Sequence, residues 1–395
     1  MKDNTRLVTG GRHRNDDPAQ TEFVNPPLVR GSTVLHPTMA EMRSRVQRRN
    51  AGDDAEPVAY GTYGSPTHHA LYEAMNQLEC GAHSWAFPSG LAACSLAIIA
   101  YVHHGQHVLL PDSVYWPTRR FCVRWLAKHG VEATVYDPRL GAGIERLMRA
   151  TTRVVYIESP GSHTFEMQDI PAIAAVAHRH GATVVVDNTW ATPLYCKPLR
   201  LGADVVVHAI TKYIGGHSDL LMGTVTTTAE AWPALRESLH ALGQTTSADD
   251  CWLALRGLRS LAARLAVHRA NAERLIAWFQ ARPEVERVLY PALPDDPGHA
   301  LWQRDMSGAS GLFGVLLHDG LPPHASDTIA DRLQLFGRGA SWGGVESLVL
   351  PSSLERSVTT LPGPGRMLRF AAGLEAADDL IADLEQAFAA LQLPR

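Results

Sequence analysis

Short runs of β-branched and apolar residues, alternating with helical patterns, constrain the fold of this chain more than any other feature. The runs lie at 107–110, 154–157, 183–186 and 204–210, and a helical pattern at 171–180 separates two of them. Runs that are apolar almost throughout are typical of strands buried on both faces of a parallel sheet. The sequence therefore predicts an α/β fold with a mainly parallel sheet and helices on both faces.

The pattern divides the chain into three regions. Residues 1–62 are rich in Arg, Pro, Asn and Asp and have too little apolar periodicity to bury a core. They are predicted to form an N-terminal arm that lies on a partner subunit, with a frayed tail as the alternative. Residues 63–257 form the predicted α/β domain. Residues 258–395 begin with a long amphipathic helical pattern and continue with shorter strand patterns, which predicts a smaller α+β domain.

Composition and charge exclude several classes of protein. Lys and Arg number 36 against 40 Asp and Glu, so the sequence lacks the basic excess of a nucleic-acid-binding protein. The longest apolar stretch, 91–102, is shorter than the roughly 20 residues that span a membrane, and we expect no membrane partner. The 5 Cys are widely spaced without a Cys-x-x-Cys pair, which argues against disulfides or a zinc site and favours a reducing cytoplasm.

Lys212 is the first candidate for chemistry, because it directly follows the run at 204–210 and precedes a glycine turn. A lysine is usually a solvated surface charge. At the end of a strand that is buried on both faces, however, the amine loses solvent, which lowers its pKa and makes it a nucleophile. Its obvious use is a Schiff base with an aldehyde cofactor.

Asp187 occupies the matching position after the run at 183–186. A helix N-cap or a turn is the alternative reading of an Asp at such a place. Because a single crossover separates Asp187 from Lys212, both side chains can reach one crevice at the carboxyl ends of the strands. Pyridoxal phosphate needs an anion beside its ring nitrogen, so that the protonated ring can accept electrons. The two residues together predict a pyridoxal phosphate site.

Other residues give weaker signals. Ser89 and Gly90 open a predicted helix whose free N–H groups suit a phosphate, and Thr211 offers a hydroxyl beside Lys212. Tyr115 follows the first strand run, where its ring can stack on a pyridine or pack in the core. Arg369 is a cation within an apolar run, which indicates either an internal salt bridge or the carboxylate of an amino-acid substrate.

Taken together, these residues resemble the Cys/Met-metabolism family of pyridoxal-phosphate enzymes over nearly the whole chain. The Asp-Asn-Thr and Thr-Lys-Tyr blocks, in that order, are the most specific. The motifs that carry the resemblance are Tyr60-Gly61 with Ser65-Pro66-Thr67, Ser89-Gly90-Leu91-Ala92-Ala93, Glu158-Ser159-Pro160-Gly161-Ser162, Val186-Asp187-Asn188-Thr189-Trp190, Ala209-Ile210-Thr211-Lys212-Tyr213, Gly215 with His217-Ser218-Asp219, and Ser341-Trp342-Gly343-Gly344-Val345-Glu346-Ser347.

The resemblance implies the aspartate-aminotransferase-like fold (PLP fold type I), with 63–257 as the cofactor-binding domain, and a homotetramer built from dimers. Lys212 would be the Schiff-base lysine, Asp187 the partner of the pyridinium nitrogen and Tyr115 the stacking ring. The phosphate would be held by Ser89, Gly90, Leu91 and Thr211. The substrate would be bound by Arg369, Ser341 and Trp342. Tyr60 would reach into the site of a neighbouring subunit.

Two departures from the family pattern bear on activity. Thr62 stands where the family usually has an Arg that contacts the partner's phosphate, so one cation is missing from the cofactor site. Ser162 replaces an Asn that is usual in the gamma-acting members. Together with the segment that starts at Ser341, this difference favours β-elimination. The resemblance thus implies a carbon–sulfur lyase of methionine biosynthesis that converts L-cystathionine to homocysteine, pyruvate and ammonia.

Three alternatives stay open at this point. One is another activity of the same family: a gamma-lyase, a gamma-replacing synthase, or a lyase for a different cysteine conjugate. A second is a metal-dependent hydrolase that uses His208, His217 and Asp219, although no helical metal-ligand spacing is present. A third is a non-catalytic subunit of the same fold, against which the intact Lys212 and Asp187 argue.

Overall fold

The computed structural model describes residues 1–12, 23–52, 59–352, 354–360, 363, 365–389 and 391. Its α-helices are α1 (Asp3–Thr9), α2 (Met39–Asn50), α3 (Pro66–Glu79), α4 (Gly90–Ile99), α5 (Trp116–Arg120), α6 (Ile170–Arg179), α7 (Thr192–Tyr195), α8 (Trp232–Ala241), α9 (Ala248–Gln280), α10 (His299–Asp305), α11 (Ala325–Arg332) and α12 (Ala377–Ala389). Its strands are β1 (His83–Phe87), β2 (His107–Pro111), β3 (Glu132–Tyr136), β4 (Thr152–Glu158), β5 (Thr183–Asp187), β6 (Val205–Ala209), β7 (Gly223–Thr227), β8 (Val285–Leu289), β9 (Leu312–Leu317), β10 (Gly337–Arg338), β11 (Leu348–Pro351) and β12 (Met367–Ala371).

The large sheet has seven strands in the order β1-β7-β6-β5-β4-β2-β3. Strands β6, β5, β4, β2 and β3 are parallel neighbours, whereas β7 runs antiparallel to both β1 and β6. The predicted runs correspond to β2, β4, β5 and β6, and the fold class of a mainly parallel sheet with helices is confirmed. The sequence did not indicate β1, β3 or β7.

Helices cover both faces of this sheet, because the strands present apolar side chains in both directions. Along β2, Val108 and Leu110 pack into one core and Leu109 into another, and all three are fully buried. The same alternation occurs along β4, where Val154 and Val155 pack into opposite cores. Period-two alternation of this kind is what a strand imposes on its side chains. The carboxyl ends of the parallel strands are left as the open edge.

A second sheet of five strands, in the order β10-β11-β12-β9-β8, forms the core of the smaller domain. Its neighbours are antiparallel except for β10 and β11. Helix α9 joins the two domains: Leu258, Leu261 and Leu265 pack into the large-domain core, and Leu275 and Phe279 into the small-domain core.

The predicted boundary at 257/258 falls inside α9, which begins at Ala248. The first turns were missed because their buried residues include the small Ala248, Cys251 and Ala254, which give a weak apolar pattern. The predicted arm likewise contains a helix, α1, whose Leu7 is buried in the core of its own chain. Residues 13–22 and 53–58 of that arm lie outside the described residues.

No helix within the described ranges is long and apolar enough to cross a bilayer. All five cysteines are free thiols.

Gly257 lets α9 approach the turn that follows Lys212. A methyl group at this position would meet the carbonyl oxygens of Ile214 at 2.2 Å and Gly215 at 2.6 Å. We predict that Gly257→Ala lowers the free energy of unfolding by about 1–3 kcal/mol, because the helix must move away from backbone atoms. The shift in denaturation midpoint measures this loss. Gly320→Ala is the matched control, since a methyl group there would have no atom within 4 Å; equal midpoints for the two variants would contradict the prediction.

Candidate active site

A cavity of about 430 Å³ opens at the carboxyl ends of β4, β5 and β6, between the two domains. Residues of both domains line it, which is where the ligands of such sheets bind. Its lining includes the predicted residues Ser89, Gly90, Leu91, Tyr115, Asp187, Thr211, Lys212, Ser341, Trp342 and Arg369.

Lys212 lies in this cavity with its amine largely removed from solvent. Burial, together with the positive charge of Arg369, lowers the pKa of Lys212 from 10.5 to about 8, against the opposing effect of Asp187. The Nζ atom donates a hydrogen bond to Ser341 Oγ at 2.5 Å and lies 5.4 Å from the centre of the Trp342 ring. The lowered pKa favours the neutral form of the amine, which is the form that a nucleophile or base needs.

Asp187 ends β5 and is buried, with its two carboxylate oxygens in different surroundings. The Oδ1 atom accepts hydrogen bonds from the Thr189 backbone N–H at 3.0 Å and from the Thr189 hydroxyl at 2.5 Å. The Oδ2 atom has only the Cys94 thiol, at 3.7 Å, as a hydrogen-bond donor within the described residues. This arrangement fixes the carboxylate and leaves one oxygen able to accept a stronger hydrogen bond from a ligand.

The N-terminus of α4 forms another wall of the cavity. Ser89 caps the helix by accepting a hydrogen bond from the Ala92 N–H at 3.1 Å. Gly90 is needed because a methyl group there would lie 2.7 Å from Ala209 Cβ on β6. The close approach places the positive end of the helix dipole beside the strand that leads to Lys212, where an anion is stabilised. The Thr211 hydroxyl, by contrast, already bonds the backbone of Met222 in both directions.

Tyr115 follows β2, and its ring, which is half exposed, faces the cavity. Its backbone N–H donates a hydrogen bond to Glu158 Oε2 at 2.5 Å, which fixes the turn. In the sheet, Glu158 on β4 lies beside Asp187 on β5. Burial is the main cause that raises the pKa of the Glu158 carboxyl well above its usual value, and the negative charge of Asp187 is the next. Glu158 belongs to one of the sequence motifs, but the sequence predicted no role for it.

Arg369 on β12 is a cation that the small domain contributes to the lining of the cavity. Its guanidinium is buried, which lowers its pKa to about 10, and it donates a hydrogen bond to the Ser341 carbonyl at 3.1 Å. Within the described part of the chain, no carboxylate forms an ion pair with Arg369. Because a buried cation is costly without an anion, the geometry favours an anionic ligand over the internal salt bridge.

Arg264 supports the turn after Lys212 and was not found from the sequence. It is buried on α9 and donates hydrogen bonds to the carbonyls of Tyr213 at 2.7 Å and Gly257 at 2.8 Å. The cation thus satisfies carbonyl groups on both the turn and the helix. Its partner Tyr213 is about 50 residues away along the chain, and no local pattern marks such a contact.

Tyr60 does not line the cavity of its own chain. It is half exposed, and its backbone pairs with that of Thr33. This location agrees with a role in the site of a neighbouring subunit, as the resemblance implies, and that role stays a prediction.

The proposed metal ligands do not converge. His208 is buried and hydrogen-bonded to Glu79, whereas Asp219 is exposed. His217 bonds the Gly215 carbonyl at 2.8 Å. Over the described ranges, no group of three or more His, Cys, Asp or Glu side chains is placed to hold a metal ion. The hydrolase alternative therefore gains no support from the geometry.

Comparison with known proteins decides between the classes that remain. The family model of the Cys/Met metabolism PLP-dependent enzymes matches residues 4–389. The chain belongs to this family. Pyridoxal phosphate is accordingly its cofactor, and the cavity fits it: an amine with a lowered pKa, a buried carboxylate with one oxygen left to a ligand, an aromatic ring and a helix N-terminus line the same space.

Relatives cover nearly the whole chain. A cystathionine beta-lyase of Bordetella avium is 44% identical, over 92% of this chain and 91% of its own length. An L-alanine/L-glutamate racemase of Wolbachia pipientis is 39% identical, over 99% and 98%. The cystathionine beta-lyase MetC of Escherichia coli is 38% identical, over 98% of both chains.

Solved structures agree with this assignment. The structure of metB from Corynebacterium glutamicum matches with a TM-score of 0.89 and 31% identity, covering 98% of both chains. Cystathionine gamma-lyase from Lactobacillus plantarum, complexed with L-serine, matches with a TM-score of 0.87 and 29% identity over both full chains.

The charge of Arg369 generates a prediction about Lys212. We predict that Arg369→Met raises the pKa of the Lys212 amine, because the variant removes a positive charge that opposes the ammonium form. The measurement is the rate at which cofactor-free protein binds pyridoxal phosphate as a function of pH. The wild-type rate should reach half of its maximum near pH 8, where the amine is half neutral; the variant should need a higher pH. Arg139→Met, at an exposed site, is the control, and identical midpoints for both variants would disprove the effect.

Proposed function

We propose that this chain is a carbon–sulfur lyase that cleaves the Cβ–S bond of L-cystathionine and, with the uptake of one water molecule, yields homocysteine, pyruvate and ammonia. The observation that carries the proposal is the contact between the Lys212 amine and Ser341, inside a cavity that also holds Trp342 and the buried Arg369. Relatives named cystathionine beta-lyase, which match over nearly their full lengths, support it.

Asp187, Tyr115, the N-terminus of α4 and Thr211 would hold pyridoxal phosphate, which would supply an electron-accepting ring. Lys212 supplies the proton chemistry. Its pKa of about 8 allows the neutral amine to remove the α-proton of the substrate, and the resulting ammonium can then protonate the departing thiolate. Lys212 can thus perform both transfers, and Tyr60 of a neighbouring subunit is the alternative proton donor to the thiolate.

Arg369 and Ser341 orient the substrate. The buried guanidinium is placed to bind the α-carboxylate, which would provide the anion that it lacks within the described chain. The Ser341 hydroxyl bonds the Lys212 amine, and its backbone has a positive φ of 94°, which is uncommon for a residue other than glycine. Such strained backbone is concentrated at functional sites, which supports the assignment of Ser341.

Trp342 packs closely against the turn that holds Lys212. Gly343, with a φ of 84°, would bring an added methyl group to 2.7 Å from the Tyr213 backbone nitrogen. The Trp342 ring lies close to the turn that follows Lys212: its centre is 5.3 Å from the centre of the Tyr213 ring. Trp342 and Ser162 line the same cavity as Lys212, and the resemblance associates Ser162 and the segment that starts at Ser341 with β-elimination.

Racemisation at the α-carbon is the second candidate. A relative carries the name of an L-alanine/L-glutamate racemase. The chemistry needs a second proton donor, and Tyr115 offers one: burial, followed by the nearby acidic groups, raises the pKa of its phenol, which stays protonated in the cavity. Formation of D-alanine from L-alanine separates this activity from lyase activity.

Assembly and location complete the proposal. We propose a cytoplasmic homotetramer in which Tyr60 of one subunit reaches the site of another. Near the N-terminus, the apolar side chains of Phe23, Leu35 and Met39 are largely exposed in the single chain. Exposed apolar side chains of this kind support a surface that a partner subunit covers. The free thiols are consistent with a reducing compartment.

Product analysis tests the reaction. With L-cystathionine, we predict that the wild-type protein forms pyruvate, and that Lys212→Ala lowers turnover by about 10³-fold or more, because the proton-transfer group is lost. The products are quantified by chromatography. Formation of 2-oxobutyrate would indicate γ-cleavage instead.

The exposed Lys128→Ala variant controls for general loss of lysine charge and should keep wild-type turnover. Turnover of Lys212→Ala near the wild-type rate would refute the assignment of Lys212.

A further inference from the structure

One buried carboxylate fastens a loop of the small domain to the large domain. The loop is the segment 354–360, which we name the strap. Asp112 follows β2, and its side chain is completely buried. It accepts hydrogen bonds from the strap's backbone N–H groups at Ser357 (3.0 Å), Val358 (3.0 Å) and Thr359 (2.8 Å), and from the Thr359 hydroxyl at 2.8 Å. A single side chain therefore holds three consecutive residues of the other domain.

Arg119 completes this attachment. Its guanidinium forms an ion pair with Asp112 at 2.6 Å and donates a hydrogen bond to the Ser357 hydroxyl at 2.8 Å. Burial pushes the pKa of Asp112 upward, but the hydrogen bonds from Arg119 and the strap outweigh burial and lower it to about 2. The carboxylate is therefore charged at neutral pH, where it accepts all of these hydrogen bonds.

The attachment adjoins the active-site cavity on both sides. In the large domain, Asp112 precedes Tyr115 and Arg119 follows it, so the pair brackets the turn that presents the Tyr115 ring. In the small domain, the strap follows β11, whose Leu350 lines the cavity and lies opposite Arg369 in the sheet. Asp112 is thus one link between the two walls that carry Tyr115 and Arg369.

Other contacts hold the strap in the same position. The Trp116 indole N–H donates a hydrogen bond to Glu355 at 3.3 Å, and Arg356 forms an ion pair with Glu166 at 3.4 Å. The Arg356 side chain is only 4% exposed. These contacts add to the Asp112 attachment, which accepts more hydrogen bonds from the strap than either of them supplies.

We propose that Asp112 is a positioning residue, which fastens the strap and thereby holds Arg369 at the distance from Lys212 that binding of the substrate carboxylate requires. Asp112 lies outside the cavity and acts through the strap. The choice of L-cystathionine as the substrate rests on the proposed function; the fastening of the strap does not.

The test compares Asp112→Asn with wild-type holoenzyme. The amide keeps the size of the side chain but removes the charge and part of its accepting capacity, so the strap should loosen. We expect KM for L-cystathionine to rise about tenfold or more with kcat changed less than about threefold, because ground-state and transition-state binding of the carboxylate weaken together. Trypsin should cleave after Arg356 in the variant and not in the wild type, as mapped by mass spectrometry.

Val358→Ala is the matched control, since its side chain is exposed and its backbone N–H is retained; it should keep wild-type KM and wild-type resistance to trypsin. If Asp112→Asn does not fold, Thr359→Val replaces it, with an expected rise in KM of about threefold from the loss of one hydrogen bond. Wild-type KM together with intact Arg356 in the folded variant would overturn the proposal. Absence of pyruvate from wild-type protein would overturn only the proposed function, and the trypsin result would still decide whether Asp112 fastens the strap.

Discussion

Desolvation of the Lys212 amine is the constraint on which the rest of the site depends. The amine follows a strand buried on both faces, so its ammonium form loses hydration, and the charge of Arg369 disfavours that form further. Burial alone would be costly without a partner, and the Ser341 hydroxyl accepts the hydrogen bond that the amine can donate. The same surroundings would hold the cofactor: a fixed Asp187 carboxylate, a helix N-terminus and the Tyr115 ring occupy the other walls of one cavity.

The site is shared between two domains, and their relative position must therefore be fixed. Helix α9 does this on one side, because it is continuous through both cores and its Arg264 binds the carbonyls of the turn after Lys212. The strap does it on the other side, through the buried charge of Asp112. Between these two connections, Lys212 from the large domain and Arg369 from the small domain face one space. A change at either connection is thus expected to act on substrate binding from outside the cavity.

Much of this arrangement was predictable from the sequence, because its signals are local. Apolar runs marked β2, β4, β5 and β6, and the residue types at their ends marked Asp187 and Lys212. Strand β7 was missed because its sequence, Gly-Thr-Val-Thr-Thr, has no apolar run, although all five residues are buried. The roles of Arg264, Glu158 and Asp112 were missed for another reason: each is defined by partners distant in the chain, and a hydrogen bond between distant segments leaves no periodic pattern.

The central claim is that Lys212 is the amine that holds the cofactor, and the composition of the chain makes it directly testable. Only four lysines are present: Lys2, Lys128, Lys197 and Lys212. The holoenzyme is reduced with borohydride, which converts a Schiff base to a stable amine, and the modified peptide is identified by mass spectrometry. The account predicts one pyridoxyl group per chain, on Lys212. A pyridoxyl group on one of the other three lysines, or none in a protein saturated with pyridoxal phosphate, would contradict it.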